Sequence, residues 1–328
     1  MIITRAPLRL PLGGGGTDLP PYYSRYGGYL VSATIDKYVY ILVNPRFEDN
    51  IRISYSKTEI VDTVDDIEHP IVRESMRLVG VGKGIEIVSV ADLPANTGLG
   101  SSGTFTVALL HALHTYKREH LPPHELAEEA FRIEAEILGE PLGKQDQYIA
   151  AIGGICALEI DRQGVVRSEP IPASHALSQE FENRVLLFYT GLQRRAGDVL
   201  ADQSAALTAG ADKVTESLNL IKDLGYQTRE ALERGDLDSY GKIMHRHWEA
   251  KRQMSNMISG NQIDHWYDIA RENGAVGGKI VGAGGGGFLM LSCNNGDKPD
   301  LRKAMTEQGL AEMPYHIDFE GSKVIINF

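Results

Sequence analysis

The chain is poor in several features that would settle its class at once. Cysteine occurs twice, as Cys156 and Cys293, each inside an apolar, strand-like run. Two such thiols without metal-ligand spacing read as buried and reduced, which excludes a disulfide framework and a cysteine-built metal site. Basic charge is in deficit: 33 Lys+Arg against 44 Asp+Glu leave a formal net charge of −11. That balance excludes a broad basic face for nucleic acid but leaves room for a local cationic pocket. No apolar run is long enough to cross a bilayer, and the opening MIITRAPLRLPLGG lacks the apolar core of a signal segment. The expectation is a soluble cytoplasmic protein with neither a nucleic-acid nor a membrane partner. Disorder is excluded as well, since 328 residues with 42% hydrophobic and 23% charged content can bury a core and stay dissolved. The length suggests two domains.

Glycine is what the chain has in excess, 35 of 328 residues, or about 11% against a usual value of roughly 7%. The surplus is clustered at Gly13–Gly16, at Gly98, Gly100 and Gly103, and from Gly277 to Gly287. Clusters of this kind read as loops whose backbone approaches a ligand closely or adopts positive φ. Around them, β-branched and aromatic runs predict strands at 29–35, 38–43, 51–55, 85–91 and 155–160. Helices are expected from Ser101 to about Tyr116 and from Pro123 to Gly139. A polar stretch over 161–179 precedes a second half that starts at Arg184 and is mainly helical from Ala196 to Asn273, with 237–258 as its longest helix. A strand at 288–293, a helix at 300–308 and strands at 315–319 and 323–327 close the chain. The mixed order predicts an α+β fold.

The most informative segment is Pro94-Ala95-Asn96-Thr97-Gly98-Leu99-Gly100-Ser101-Ser102-Gly103, set between a strand and an apolar helix. Its glycines let backbone N–H groups turn inward, and the helix start adds unpaired donors and a positive dipole end, which together make an anion cradle. A serine there can also reach a Mg²⁺ ion. A capped helix after a tight turn is the alternative. Neither the Walker A spacing nor the dinucleotide fingerprint is present. Pro94–Gly103 resembles the phosphate loop of the GHMP kinases, the family of galactokinase, homoserine kinase, mevalonate kinase and phosphomevalonate kinase. Arg5–Asp18 resembles that family's sugar-side motif, and Lys279–Phe288 its third, glycine-rich motif, in the same order along the chain.

The resemblance implies an N-terminal domain like that of a ribosomal protein, with a left-handed βαβ unit, and a ferredoxin-like C-terminal domain. The corresponding division is 1–175 and 176–328. It implies ATP and Mg²⁺ as co-substrate and cofactor, with Pro94, Thr97, Gly98, Leu99, Gly100, Ser101, Ser102 and Gly103 around the nucleotide phosphates. Asp146 matches the aspartate that meets the attacking hydroxyl, as a base or as an orienting charge, with Lys144 able to lower its pKa and shield developing charge; a solvated ion pair is the alternative. Arg9 completes that catalytic set. Glu134 is implied to share the metal with Ser102. On a wheel at about 100° per residue, Glu134 and Glu129 lie almost equally close to the apolar stripe, so periodicity does not choose between them.

On the sugar side the resemblance places Gly14, Gly15, Gly16, Thr17 and Asp18, although Asp18 also reads as a cap or turn residue. It adds Thr190, Gly191, Arg194, Arg195, Gly284, Gly285 and Gly286. Gly-Gly-Gly-Thr-Asp, in place of galactokinase's Gly-Glu-His-Thr-Asp, resembles the branch of heptose kinases and L-fucokinases, as do Tyr189–Gly191 and His247–Lys251. That branch implies phosphorylation of the anomeric hydroxyl of D-glycero-D-manno-heptose 7-phosphate, toward nucleotide-activated heptose for surface polysaccharide, with L-fucose as the alternative acceptor. The sugar's own phosphate is expected on Arg9, Arg194 or Arg195. A sensor that binds sugar and nucleotide without turnover is the non-enzyme alternative, and a homodimer is left open.

Overall fold

In the computed structural model, which describes residues 1–193, 196–255 and 257–328, the chain opens on a 12-residue strand, β1 (Ile2–Gly13). Pro7 and Pro11 argue against a strand there, because proline donates no ladder hydrogen bond. The fold accommodates both. β13 covers only Ile2–Arg5 on one side of β1, so beyond Arg5 that edge is free of a strand partner. One N–H on it is used differently: Arg9 N–H donates to Leu99 O at 3.0 Å, tying the sugar-side motif to the phosphate loop.

After β1 come α1 (Pro20–Tyr26), β2 (Gly28–Pro45), β3 (Ile51–Ser54), β4 (Thr58–Val61), α2 (Pro70–Val79) and β5 (Ile85–Ala91). Then follow α3 (Ser101–Tyr116), α4 (Pro123–Phe131), a π-helical turn at Arg132–Ile137, α5 (Gln145–Ile152), β6 (Ile155–Ile160) and β7 (Val166–Pro170). The second half holds α6 (His175–Arg184), β8 (Val185–Tyr189), α7 (Ala196–Thr208), α8 (Asp212–Glu233), α9 (Leu237–Arg252) and α10 (Asn261–Glu272). It closes with β9 (Ala275–Ile280), β10 (Phe288–Cys293), α11 (Lys298–Glu307), β11 (Ala311–Glu312), β12 (Ile317–Asp318) and β13 (Lys323–Asn327).

Several sequence expectations change. The strands expected at 29–35 and 38–43 are one strand, β2, because Asp36 and Lys37 form a bulge that shifts the register opposite Pro7 and Leu8. Gly277 and Gly278 belong to β9 rather than to a loop. The polar stretch after β6 contains β7 and α6, and the longest helix is the 22-residue α8, since α9 stops at Arg252. The helices α1 and α2, each opened by Pro at its first turn, were not read from the sequence.

The strands form two sheets. The larger runs β13-β1-β2-β5-β3-β4, with β12 and β6 on the other half of β2 and β7 beyond β6; the smaller runs β11-β8-β10-β9. Helices α3 and α5 pack on β1 and β2, whereas α9 packs on β9 and α8. Contact between α8 and both β1 and β2 joins the halves. The sugar-side motif is held at that seam.

Candidate active site

The phosphate loop leaves β5 and turns into α3 through two left-handed glycines, Gly98 (φ 82°) and Gly100 (φ 79°). Gly100 is the N-cap of α3, so the first N–H groups of Ser101, Ser102 and Gly103 have no partner within the helix. The third glycine-rich motif braces this loop from behind. A Cβ on Gly282 would lie 2.6 Å from Gly98 O, and one on Gly287 would lie 2.2 Å from Thr97 O. Only glycine allows backbone to pack on backbone this closely.

That bracing corrects part of the expected sugar site. Gly284 and Gly285 pack on Ile258, with Gly285 N–H donating to Ile258 O at 2.8 Å, and Gly286 packs on Leu192. None of the three lines the cavity. Thr190 donates its hydroxyl to Gly287 O at 2.8 Å, and Gly191 follows it in the turn, also away from the cavity. Thr17 is fully buried; its hydroxyl donates toward Gly14 O and Tyr29 O, and Gly14 lies against the Tyr29–Leu30 backbone, so both hold the turn instead of facing a sugar. Pro94, Thr97 and Leu99 shape the loop without lining the cavity, Thr97 bonding Pro94 O at 3.3 Å. Arg194 and Arg195 lie outside the described residues.

Of the expected residues, Arg9, Gly15, Gly16, Asp18, Ser102, Gly103, Glu134 and Asp146 line one cavity of about 520 Å³, whereas Gly98, Gly100, Ser101 and Lys144 do not. Asp146 stands in the first turn of α5. Arg9 grips it from β1: Nε donates to Oδ1 at 2.8 Å and Nη2 lies 2.7 Å from the same oxygen. Nη1 of Arg9 donates to Gly98 O at 2.5 Å, so three of its five N–H groups hold the guanidinium against Asp146 and the phosphate loop. Lys144 is not the cation beside Asp146. It is buried, pairs with Glu128 and sits 4.7 Å from the centre of the Phe131 ring, because as N-cap of α5 it points back toward α4. Asp18 accepts from Gly16 N–H at 3.1 Å and from Gln145 N–H at 3.0 Å, and burial raises its pKa against those bonds.

Ser102 donates to Glu134 Oε2, and Gln147 Nε2 donates to Oε1 at 3.0 Å. Glu134 is 1% exposed, and burial pushes its carboxyl up to about 7 although these bonds pull it down. Glu129, its rival on the wheel, is bound instead to His114 Nε2 at 2.8 Å. The π-helical turn carries Glu134 inward, with Leu138 N–H reaching back to Ile133 O. Such turns add a residue to the helix and are frequent at functional sites.

Three further lining residues were not singled out from the sequence as site residues: His247 and Lys251 on α9, and Lys279 on β9. Lys251 follows His247 at the i,i+4 spacing, which puts them on one helix face. Burial depresses Lys251 to about 8 and both Lys279 and His247 well below their ordinary values. Among the described residues no helix is long and apolar enough to cross a membrane.

Comparison with known proteins places this arrangement. The sequence profile of the GHMP kinases N terminal domain matches residues 60–154, and that of the GHMP kinases C terminal domain matches 228–310. A protein of Campylobacter jejuni named D-glycero-alpha-D-manno-heptose 7-phosphate kinase is 31% identical, with 95% of each chain covered. An L-fucokinase/L-fucose-1-P guanylyltransferase of Bacteroides fragilis is 25% identical over 92% of this chain and 36% of its own length. Among solved structures, a D-glycero-D-manno-heptose 1-phosphate kinase from Bacteroides thetaiotaomicron superimposes with a TM-score of 0.83 at 26% identity, covering 100% of both chains. With two matching profiles, a full-length relative and a shared two-domain α+β fold, the chain belongs to the GHMP kinases and takes ATP as its co-substrate.

Proposed function

We propose that the chain is an ATP-dependent sugar 1-kinase that phosphorylates the anomeric hydroxyl of D-glycero-D-manno-heptose 7-phosphate to give the 1,7-bisphosphate. The observation that carries this reading is one cavity in which the start of α3, the Arg9–Asp146 pair and Asp18 all open onto the same space. The acceptor is argued from the C. jejuni relative, which spans 95% of each chain, and the fucokinase match is weaker at 25% identity.

The nucleotide phosphates sit on the α3 N-terminus, where free N–H groups and the helix dipole meet negative charge. Both Arg9 contacts go to Oδ1 of Asp146, which leaves Oδ2 to face the acceptor hydroxyl. As the sugar oxygen forms its bond to the γ-phosphorus, the bond to the β–γ bridging oxygen breaks, ADP leaves and the hydroxyl proton passes to Oδ2. Asp18 keeps lone pairs for sugar hydroxyls, and Gly15 and Gly16 let the ring come close.

The residues fit Mg²⁺. Ser102 and Glu134 offer hard oxygen donors, and the buried Glu134 carboxylate has only neutral partners. Mg²⁺ is commonly bound through one or two protein oxygens, with water and substrate phosphates completing its shell. When bound, the ion neutralises phosphate charge. The same reading divides the chain into 1–175, with the sugar-side motif, phosphate loop and Asp146, and 176–328, with the third glycine motif, β12 and β13 returning to the first sheet. ADP release measured with heptose 7-phosphate, L-fucose, mannose and galactose tests the acceptor; a preference for any unphosphorylated sugar overturns it.

A further inference from the structure

The wall of the cavity formed by α9 and β9 carries two lysines that the mechanism above does not use. Lys251 is 8% exposed and Lys279 is 2% exposed, and both line the same space as Asp18 and Asp146. Lys251 Nζ donates to Gly282 O. Lys279 Nζ donates to Leu12 O at 3.1 Å and lies 3.4 Å from His247 Nδ1. Among the described residues neither ammonium has a carboxylate in ion-pair contact, unlike Arg9, which has Asp146, and Lys144, which has Glu128. An ammonium has three N–H donors, so Lys251 has two to spare and Lys279 one.

A charge buried without a partner is costly, and a protein of net charge −11 has no shortage of carboxylates that could have supplied one. The arrangement makes sense if the partner arrives with a ligand, and that ligand is an anion. In the proposed function the ATP phosphates are taken by the start of α3, and Lys251 lines the same space as Asp18 of the sugar-side motif, which acts on it electrostatically. His247 Nδ1 lies 3.4 Å from Lys279 Nζ, and burial disfavours the charged form of the imidazole. Arg9 commits three of its five N–H groups to Asp146 and Gly98, whereas Lys251 is held by a single carbonyl.

We propose that Lys251, backed by Lys279, is the subsite for the phosphate that the acceptor sugar already carries. The subsite deepens the proposed function and rests on the acceptor being a sugar phosphate. It decides specificity: an unphosphorylated sugar leaves the ammonium buried and unpaired, which penalises that sugar by more than the missing contact alone.

The test is the ratio of kcat/KM for D-glycero-D-manno-heptose 7-phosphate to kcat/KM for the free heptose, in wild type, Lys251→Met and Lys251→Arg. The wild type is expected to favour the phosphorylated sugar. Lys251→Met should lower the ratio by about tenfold or more, the size of a lost charged hydrogen bond, with KM for ATP moving far less. Lys251→Arg keeps the charge and should keep most of the ratio. Should the Met variant not fold, Lys251→Gln, which retains a donor for Gly282 O, takes its place. A wild type that prefers phosphate, with a ratio that survives the neutral substitution, overturns the subsite alone. A wild type that prefers the free sugar overturns the acceptor reading, and the subsite with it.

Discussion

Two buried groups that line the cavity are built on the same principle with opposite signs. Glu134 is buried among neutral donors, Ser102 and Gln147, and its carboxyl is pushed up to about 7. Lys251 is buried against a carbonyl, and its ammonium is pushed down to about 8. A third charge in the same cavity is balanced: Asp146 with Arg9. The contrast separates two tasks. A paired charge is held in one geometry, which suits the group that must orient an attacking hydroxyl. An unpaired buried charge destabilises the empty protein, and in the proposal above its partner is a ligand, a cation at Glu134 and an anion at Lys251.

The largest expected effect comes from breaking the balanced pair. Asp146→Asn keeps size and shape but removes the charge, so kcat should fall by about 10²–10⁴-fold, the usual range for a lost general base, while ATP binding measured by calorimetry stays near wild type. Retention of more than about a tenth of kcat would contradict that role.

Next come the two unpaired groups, and here the signs differ. The Glu134 carboxyl, near 7 when folded, lies above its ordinary 4.5, so the folded state holds its proton longer than the unfolded chain. Wild type therefore loses stability as pH rises from about 4.5 to 7, and Glu134→Gln should be the more stable above pH 7, by up to about 3 kcal/mol. The Lys251 ammonium, near 8 when folded, lies below its ordinary 10.5. Its penalty grows as pH falls from 10.5 to about 8, so Lys251→Met should gain up to about 3 kcal/mol below pH 8 and little above pH 10.5. Denaturant melts of ligand-free protein at pH 5, 7.5 and 10.5 read both. A loss of stability in either variant at pH 7.5 would break the comparison.

Gly287→Ala should act through the phosphate loop. Its φ of +85° and the Thr97 carbonyl 2.2 Å from the added Cβ force the backbone apart, with an expected cost of about 1–3 kcal/mol and a raised KM for ATP. Smallest of all, Lys144→Ala should cost about 1 kcal/mol for a partly exposed ion pair and shift kcat by less than about threefold, since Lys144 faces Glu128 and Phe131.

Much of this was legible in the sequence where local chemistry decides structure. The helix from Ser101 to Tyr116, the glycine turn before it and the strands at 85–91 and 155–160 follow from periodicity and punctuation, and each is present. Ser102 and Glu134, which the resemblance pairs, are in hydrogen-bond contact. What was not legible depended on partners distant in sequence. Strand β1 carries two prolines that are tolerable only because its edge is open where they fall. The wheel could not separate Glu134 from Glu129, because it assumes 3.6 residues per turn and the backbone at 132–137 is π-helical. Lys144 stood two residues from Asp146 in sequence, yet the cation that reaches Asp146 comes from residue 9. Gly284–Gly286 read as ligand-facing, but glycines that let backbone approach a ligand and glycines that let backbone approach backbone are identical in a sequence.

The central claim is that this cavity passes a phosphoryl group to the anomeric oxygen of a sugar that already bears a phosphate. Phosphorus NMR of a reaction with ATP, Mg²⁺ and D-glycero-D-manno-heptose 7-phosphate tests it directly. The account predicts one new phosphomonoester signal, coupled to the anomeric proton, appearing in equal amount with ADP while the 7-phosphate signal persists. Turnover of L-fucose with no new signal from the heptose phosphate would contradict it.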